Sequence, residues 1–317
     1  MGEAAINARK VGWSSASMFE PNAYAVYLAL LLGFFLLCVG FALTDFYYTD
    51  DGITNRSAAL AGLAVCGILT RGFGLARLAA AMEALAIMAA FAMVILLGSM
   101  MLAGAAQPMV DKSLIAIDRA LGFDWLALHM ALRGDEIFFE RASMVYRALH
   151  LQPMLLILLL AFTKRIAQLW VFVTAWVLAV IITVIIFPFT PAVGGFLYHG
   201  ITPDDVHGLW IKGVWEWYDI MQPVREGTLR GLGANSVIGI VTFPSFHAAG
   251  AVLLAYGFWQ FRWLRWPMLV LNIGVFLSSI VVGGHYLIDV IAGGLIAIVA
   301  ILFTLKILKR TAIRSAN

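Results

Sequence analysis

Residues 79–104 read AAAMEALAIMAAFAMVILLGSMMLAG, in which Glu83 is the one charged residue. A helix needs about 20 apolar residues to cross a hydrocarbon core about 30 Å thick, so this stretch is long enough to span a bilayer. Of the 317 residues, 62% are hydrophobic and 12% are charged, whereas a soluble domain carries roughly 25% charged residues. This composition predicts a polytopic membrane protein and argues against nucleic-acid binding, a secreted disulfide scaffold and intrinsic disorder.

Apolar runs of similar length recur along the chain and predict an all-α fold with about eight transmembrane helices. Arg71 cuts the second run short. The connections between the runs are short and polar except in two places. The predicted spans are residues 23–44, 57–75, 79–104, 142–163, 168–188, 246–261, 267–283 and 286–307.

The basic residues predict the orientation of these spans. If the N-terminus is cytoplasmic, every short cytoplasmic connection carries a basic pair, as the positive-inside rule requires. Both termini are therefore predicted to be cytoplasmic. The basic residues on that side would be Arg9, Lys10, Arg71, Arg77, Lys164, Arg165, Arg262, Arg265, Lys306, Lys309, Arg310 and Arg314.

The two long connections lie on the predicted outer side, at residues 105–141 and 189–244. The first is predicted to form short amphipathic helices on the bilayer surface. The second is rich in tryptophan and is predicted to contain an interfacial helix, because its apolar residues keep helical spacing at positions 206, 210, 213–214, 217 and 221. Structural or interfacial roles are predicted for Asp111, Asp118, His199 and His207.

Ionisable residues at a membrane edge are costly and are therefore candidates for a functional site. His247 opens the sixth span and His285 opens the eighth. The sixth and seventh spans form a hairpin, so both imidazoles are predicted to lie on the outer face. His285 and Asp289 are four residues apart, which places them on one helix face. The carboxylate can accept the ring N–H of His285 and make its other nitrogen a better nucleophile.

The segment before His247 supplies complementary groups. Pro244 suits the first turn of a helix, and Ser245 places a hydroxyl beside unpaired backbone N–H groups. A helix N-terminus of this kind favours a bound anion such as phosphate. His247 would then be placed to protonate a departing oxygen. Two histidines, an aspartate and a helix N-terminus therefore predict a phosphoryl-transfer site.

Pro244-Ser245-Phe246-His247, followed by His285-x-x-x-Asp289-Val-Ile-Ala-Gly, resembles the second and third signatures of the type 2 phosphatidic acid phosphatase superfamily. The resemblance implies a six-helix catalytic core within residues 79–310, preceded by extra spans in residues 1–78. It also implies that His285 attacks phosphorus and becomes phosphohistidine, that Asp289 activates it, that His247 protonates the leaving group and that Ser245 helps to bind phosphate. This chemistry requires neither a metal nor an organic cofactor.

The chain departs from the superfamily pattern in informative ways. The first signature, Lys-x6-Arg-Pro, is absent from residues 189–244, where Arg225 and then Arg230 are the nearest substitutes for binding phosphate. Phe246 stands where the signature has Gly. In these features the chain resembles the branch that contains the inositol phosphorylceramide synthases, which move a phospho-headgroup between lipids. The resemblance implies a lipid phosphate or phosphodiester as substrate and a bacterial inner membrane as the location.

Three alternatives stay open at the level of the sequence. His285, His247 and Asp289 are residue types that also bind zinc. Ser245 and His285, with Asp289 behind, could form a serine-protease-like triad. The chain could instead be a transporter or lipid scramblase without covalent chemistry, although no helix-breaking residues occur at matching mid-span positions of two halves.

Overall fold

The computed structural model describes residues 23–210, 213–233, 239 and 241–314, with side chains up to residue 307. Within these ranges the chain forms twelve α-helices and one pair of short parallel strands, β1 (Tyr47–Tyr48) and β2 (Gly231–Leu232). The predicted cytoplasmic N-terminus, with Arg9 and Lys10, lies outside the described residues. The helices are α1 (Tyr24–Leu43), α2 (Ile53–Gly72), α3 (Ala76–Ala103), α4 (Asp111–Ala120), α5 (Trp125–Leu132), α6 (Glu136–Phe162), α7 (Ile166–Ile186), α8 (Gly195–Tyr198), α9 (Gly213–Glu226), α10 (Phe246–Phe258), α11 (Arg265–Val281) and α12 (Leu287–Arg314).

An α-helix lies at each of the eight predicted spans, which confirms the all-α polytopic membrane fold. Among the described residues, six helices are both long enough and apolar enough to cross a membrane: α1, α2, α3, α6, α7 and α12. The other two, α10 and α11, are apolar but have only 13 and 17 residues. α10 lies inside the bundle, where it packs against α6, α7, α11 and α12.

Glycines bring α10 close to α6. A Cβ atom at Gly250 would lie 3.0 Å from Cδ1 of Leu149, and one at Gly257 would overlap Leu156. Small residues allow two helices to approach each other closely in a membrane. The polar residues of α6 are thereby brought next to the start of α10.

The charges near the end of α2 and the start of α3 are paired. Arg71 Nη2 lies 2.7 Å from Oε2 of Glu83, and the two side chains are 13% and 7% exposed. The Tyr27 hydroxyl of α1 donates to the same carboxylate at 3.2 Å. Mutual neutralisation and hydrogen bonding make this burial of charge tolerable. The pair explains how Arg71, which lies in the last turn of α2, is accommodated next to α3.

The two long connections, residues 105–141 and 189–244, contain helices, as predicted, but the bounds of these helices differ. α4 and α5 occupy the first connection. In the second, α9 begins at residue 213, so positions 206 and 210 precede the helix; residues 211–212 lie outside the described part. Gly208 explains the interruption, because it adopts a φ of +77°, and a Cβ there would overlap the Glu136 carbonyl. The apolar face of α9 is buried through Val214, Trp217, Met221 and Val224.

Candidate active site

The helix bundle contains a partly open cavity of about 650 Å³, which we call the central cavity. Its wall is formed by α3, α6, α7, α9 and α10 and by the turn that precedes α12. Apolar and aromatic side chains make up most of this wall. Apart from tyrosine and tryptophan, its polar side chains are Ser99, Arg147, His150, Thr183, Glu216, Thr242, His247 and His285.

His285 lies in the turn between α11 and α12 and is buried against Asp289. The imidazole Nδ1 is 3.5 Å from Oδ2 of Asp289, a residue that is completely buried. The same Oδ2 accepts a hydrogen bond from the Tyr286 backbone N–H at 2.9 Å. A 3.5 Å separation is long for a hydrogen bond, and catalytic hydrogen bonds often shorten only when substrate binds. The carboxylate thus faces Nδ1, and Nε2 is the ring nitrogen of His285 that Asp289 does not face.

A direct backbone contact joins the two predicted motifs. Ser245 caps α10, with its hydroxyl accepting from the Ala248 N–H at 3.4 Å. The Ser245 N–H donates to the Asp289 carbonyl at 3.0 Å. Gly293 permits this contact because a Cβ there would overlap the Ser245 carbonyl. The start of α10 is therefore held against the start of α12, although the Ser245 side chain is itself buried outside the cavity wall.

His247 lines the same cavity as His285. Its ring stacks on Tyr146 of α6, with centroids 4.2 Å apart and planes 13° apart, and it meets the edge of His150 at 5.9 Å. Its Nε2 is buried without a hydrogen-bond partner in the part of the chain that the structure describes. Buried polar atoms of this kind call for a partner, and a substrate oxygen in the cavity would supply one.

Neither of the predicted phosphate-binding arginines lines the central cavity. Arg225 Nη2 donates to the Gln107 carbonyl at 2.7 Å, and burial lowers the pKa of its guanidinium. Arg230 Nη1 donates to the Val224 carbonyl, also at 2.7 Å. Both guanidinium groups thus bind backbone oxygens in the two long connections.

The cation that does line the cavity is Arg147, which was not among the predicted site residues. Arg147 is the one Arg or Lys among the described residues of the cavity wall. It lies on α6 within a predicted span, and His150 follows it three residues later on the same helix face. An ionisable residue inside a predicted span is a functional candidate in its own right, so this signal was present in the sequence.

A zinc site would need several His, Cys, Asp or Glu side chains around one point. Over the described ranges, His, Cys, Asp and Glu side chains form no group of three that could hold a metal ion. His285 and Asp289 instead face each other as an isolated pair.

The fold and the central cavity define an all-α integral membrane protein with three imidazoles and one guanidinium around a partly open cavity. A sequence profile of the PAP2 superfamily matches residues 112–303, more than half of the chain. The chain therefore belongs to the PAP2 superfamily, whose members are phosphatases and phosphotransferases that act on phosphate esters. Comparison with curated proteins and with solved structures gives no significant match.

The family match confirms the predicted superfamily, while the branch and the division at residue 79 stay predictions. The match covers the chain from α4 to α12 and leaves α1, α2 and α3 outside. α3 nevertheless forms one wall of the central cavity, through Met88, Phe91, Ala92, Ile95, Leu96 and Ser99.

Proposed function

We propose that this protein is a membrane phosphoester hydrolase or phosphotransferase that acts on a lipid-linked phosphate through a phosphohistidine at His285. The observation that carries the proposal is that His285 and His247 line one cavity, with Asp289 3.5 Å behind His285. In this arrangement His285 would be the nucleophile, Asp289 the carboxylate that orients it, and His247 the proton donor.

The reaction would proceed in two displacements at phosphorus. Nε2 of His285 attacks phosphorus, the bond from phosphorus to the leaving oxygen breaks, and protonated His247 gives its proton to that oxygen. In the second displacement, the oxygen of water or of an acceptor alcohol attacks the phosphohistidine. The neutral His247 takes the proton that this oxygen loses. Breaking the P–N bond returns His285 to its starting state. Asp289 stabilises the positive charge that develops on the His285 ring.

Phosphate binding would use the start of α10 together with Arg147. The backbone N–H groups of Phe246 and His247 have no acceptor within the described part of the chain, and both residues line the cavity. A helix N-terminus with free N–H groups favours an anion. The positive charge of one guanidinium and the two N–H dipoles suits a phosphodiester, which carries one negative charge, better than a phosphate monoester, which carries two. This balance supports headgroup transfer, as in the inositol phosphorylceramide synthase branch.

The apolar part of the central cavity would hold the lipid chain. Its α3 wall extends from Met88 to Ser99, which is roughly 16 Å at 1.5 Å per residue. Opposite residues include Val180 and Val184 of α7. This length of apolar wall suits an acyl or prenyl chain attached to the phosphate.

We also propose that the cavity faces the outer side of a bacterial inner membrane, with both termini cytoplasmic. α10 begins at the cavity, and the cavity-lining residues of α6, Tyr146, Arg147 and His150, are followed by at least 12 further residues of that helix. The basic connections with Lys164 and Arg165, and with Arg262 and Arg265, follow the C-terminal ends of these two helices. Their charge supports a cytoplasmic position for those ends.

The proposed function is tested by incubating purified protein with labelled lipid phosphates and phosphodiesters, with and without an alcohol acceptor. Phosphate release or headgroup exchange, together with phosphate bound to the protein, would support the proposal. Lipid movement across vesicles without any chemical product would favour a transporter or scramblase instead.

Replacing Val184 by Trp should raise KM for a long-chain substrate by roughly tenfold or more. The bulky ring would displace several methylenes from the cavity, and each buried methylene contributes about 0.8 kcal/mol. Turnover of a soluble short-chain ester should stay within about twofold. The matched control is Ile185→Trp, because Ile185 is the next residue of α7 and is 61% exposed. Equal effects on both substrates would contradict the chain-binding role.

Replacing Arg147 by Ala should lower kcat/KM by about 10- to 100-fold. Hydrogen bonds to charged groups contribute about 1.5–3 kcal/mol, and this cation has no substitute on the described cavity wall. Arg147→Lys should retain part of the activity, since a single ammonium cannot reproduce a bidentate contact. Arg141→Ala on α6 is the control, because Arg141 lies outside the cavity. Unchanged kcat/KM in Arg147→Ala would exclude a contact with phosphate.

A further inference from the structure

The surface segment formed by α4 and α5 contacts the chain on both sides of His285. We call residues 280–288 the His285 turn. Trp125 Nε1 of α5 donates to the Ile280 carbonyl at 3.1 Å, at the beginning of this turn. Two carboxylates of α4, Asp111 and Asp118, bind its later part. These two residues are seven apart, so they lie on the same helix face.

Asp118 caps α12 from outside that helix. Its side chain is almost fully buried, at 1% exposure. Oδ2 accepts from the Leu287 N–H at 2.8 Å, and Oδ1 accepts from the Ile288 N–H at 2.9 Å. Burial raises the pKa of this carboxyl, while the two backbone N–H groups act in the opposite direction. The carboxylate therefore fixes the first two residues of the helix that presents Asp289 to His285.

Asp111 fixes the turn from the other side. Its Oδ1 accepts from the Tyr286 hydroxyl at 2.9 Å and from the Gly194 N–H at 3.0 Å. The next residue, Gly195, donates its N–H to the Gly284 carbonyl at 2.7 Å. Gly284 adopts a φ of +67°, a conformation that favours glycine. The residues immediately before and after His285 are thus both tied to Asp111, one directly and one through the 193–195 loop.

We infer that Asp111 and Asp118 are positioning residues for the nucleophile, a role that rests on the proposed function of His285. Their hydrogen bonds end on residues 286, 287 and 288 and on the loop that holds residue 284. They therefore control where the His285 imidazole lies relative to Asp289 and to the phosphate. A displacement of about 1 Å at a reacting group costs on the order of 100-fold in rate.

The test compares Asp118→Asn and Asp118→Ala with Asp124→Asn. Asp124 belongs to the same surface segment, but its side chain caps its own helix α5 through the Ala127 N–H. Asp118→Ala should lower kcat by about 10- to 100-fold with KM within about twofold. Asp118→Asn keeps one acceptor oxygen, so its kcat should lie between that of Asp118→Ala and that of the unmodified protein. The rate of phosphohistidine formation should decrease in parallel with kcat. Asp124→Asn should retain the kcat of the unmodified protein.

Tyr286→Phe provides a milder variant that removes only the hydroxyl contact with Asp111. It should lower kcat several-fold without a change in the thermal unfolding temperature. If the unmodified protein forms phosphohistidine but the Asp118 and Tyr286 variants match Asp124→Asn in kcat, the positioning role is wrong and the proposed function stands. If the unmodified protein forms no phosphohistidine at His285, the proposed function fails and the positioning role fails with it.

Discussion

His285→Gln is expected to abolish turnover of phosphate esters, with kcat reduced on the order of 10⁴-fold or more. The imidazole is the proposed nucleophile, and removal of the nucleophile leaves only binding and charge stabilisation to accelerate the reaction. Glutamine has no basic nitrogen that could replace Nε2. The acid-labile, alkali-stable phosphate bound to the protein during turnover should disappear with the activity, which can be measured with a labelled substrate and a rapid quench in alkaline detergent.

The control for this variant is His207→Gln. His207 lies in the second long connection and does not line the central cavity. It should keep both the turnover and the protein-bound phosphate of the unmodified enzyme. A His285→Gln protein that folds, by its unfolding temperature, and still turns over phosphate esters at a normal rate would show that His285 is not the nucleophile.

The positions of the membrane helices could be predicted from the sequence because each depends on a local property, a long apolar run. The approach of His247 and His285 could also be anticipated, since a hairpin of two spans returns the chain to the same side. The start of α9 was predicted wrongly from its apolar spacing. Gly208 has a left-handed conformation next to the Glu136 carbonyl, and that contact is not encoded in the periodicity.

The rest of the candidate site depends on which faces of distant helices meet. Arg147 reaches the cavity because α6 and α10 pack closely at Gly250 and Gly257, and a single sequence does not specify that rotation. Asp118 was predicted to be structural or interfacial, but its partners at Leu287 and Ile288 are 169 and 170 residues away. Long-range side-chain to backbone contacts of this kind leave no periodic signal in the sequence.

His247→Gln is expected to lower kcat for a lipid substrate by about 10²- to 10⁴-fold, which is the usual contribution of a general acid or base. The size of the loss should depend on the leaving group. An alkoxide leaves poorly without a proton, so phosphohistidine should form slowly from a lipid ester. An aryl phosphate with a weakly basic leaving group needs little protonation and should still phosphorylate His285.

The second displacement also needs His247, because water or an alcohol must lose a proton as it attacks. With the aryl substrate, His247→Gln should therefore release one equivalent of leaving group in a burst and accumulate phosphohistidine, whereas the same variant should show no burst with the lipid ester. His207→Gln should behave as the unmodified enzyme with both substrates. An equal loss of phosphohistidine formation for both leaving groups would contradict proton donation, and would assign His247 to holding the phosphate beside Tyr146.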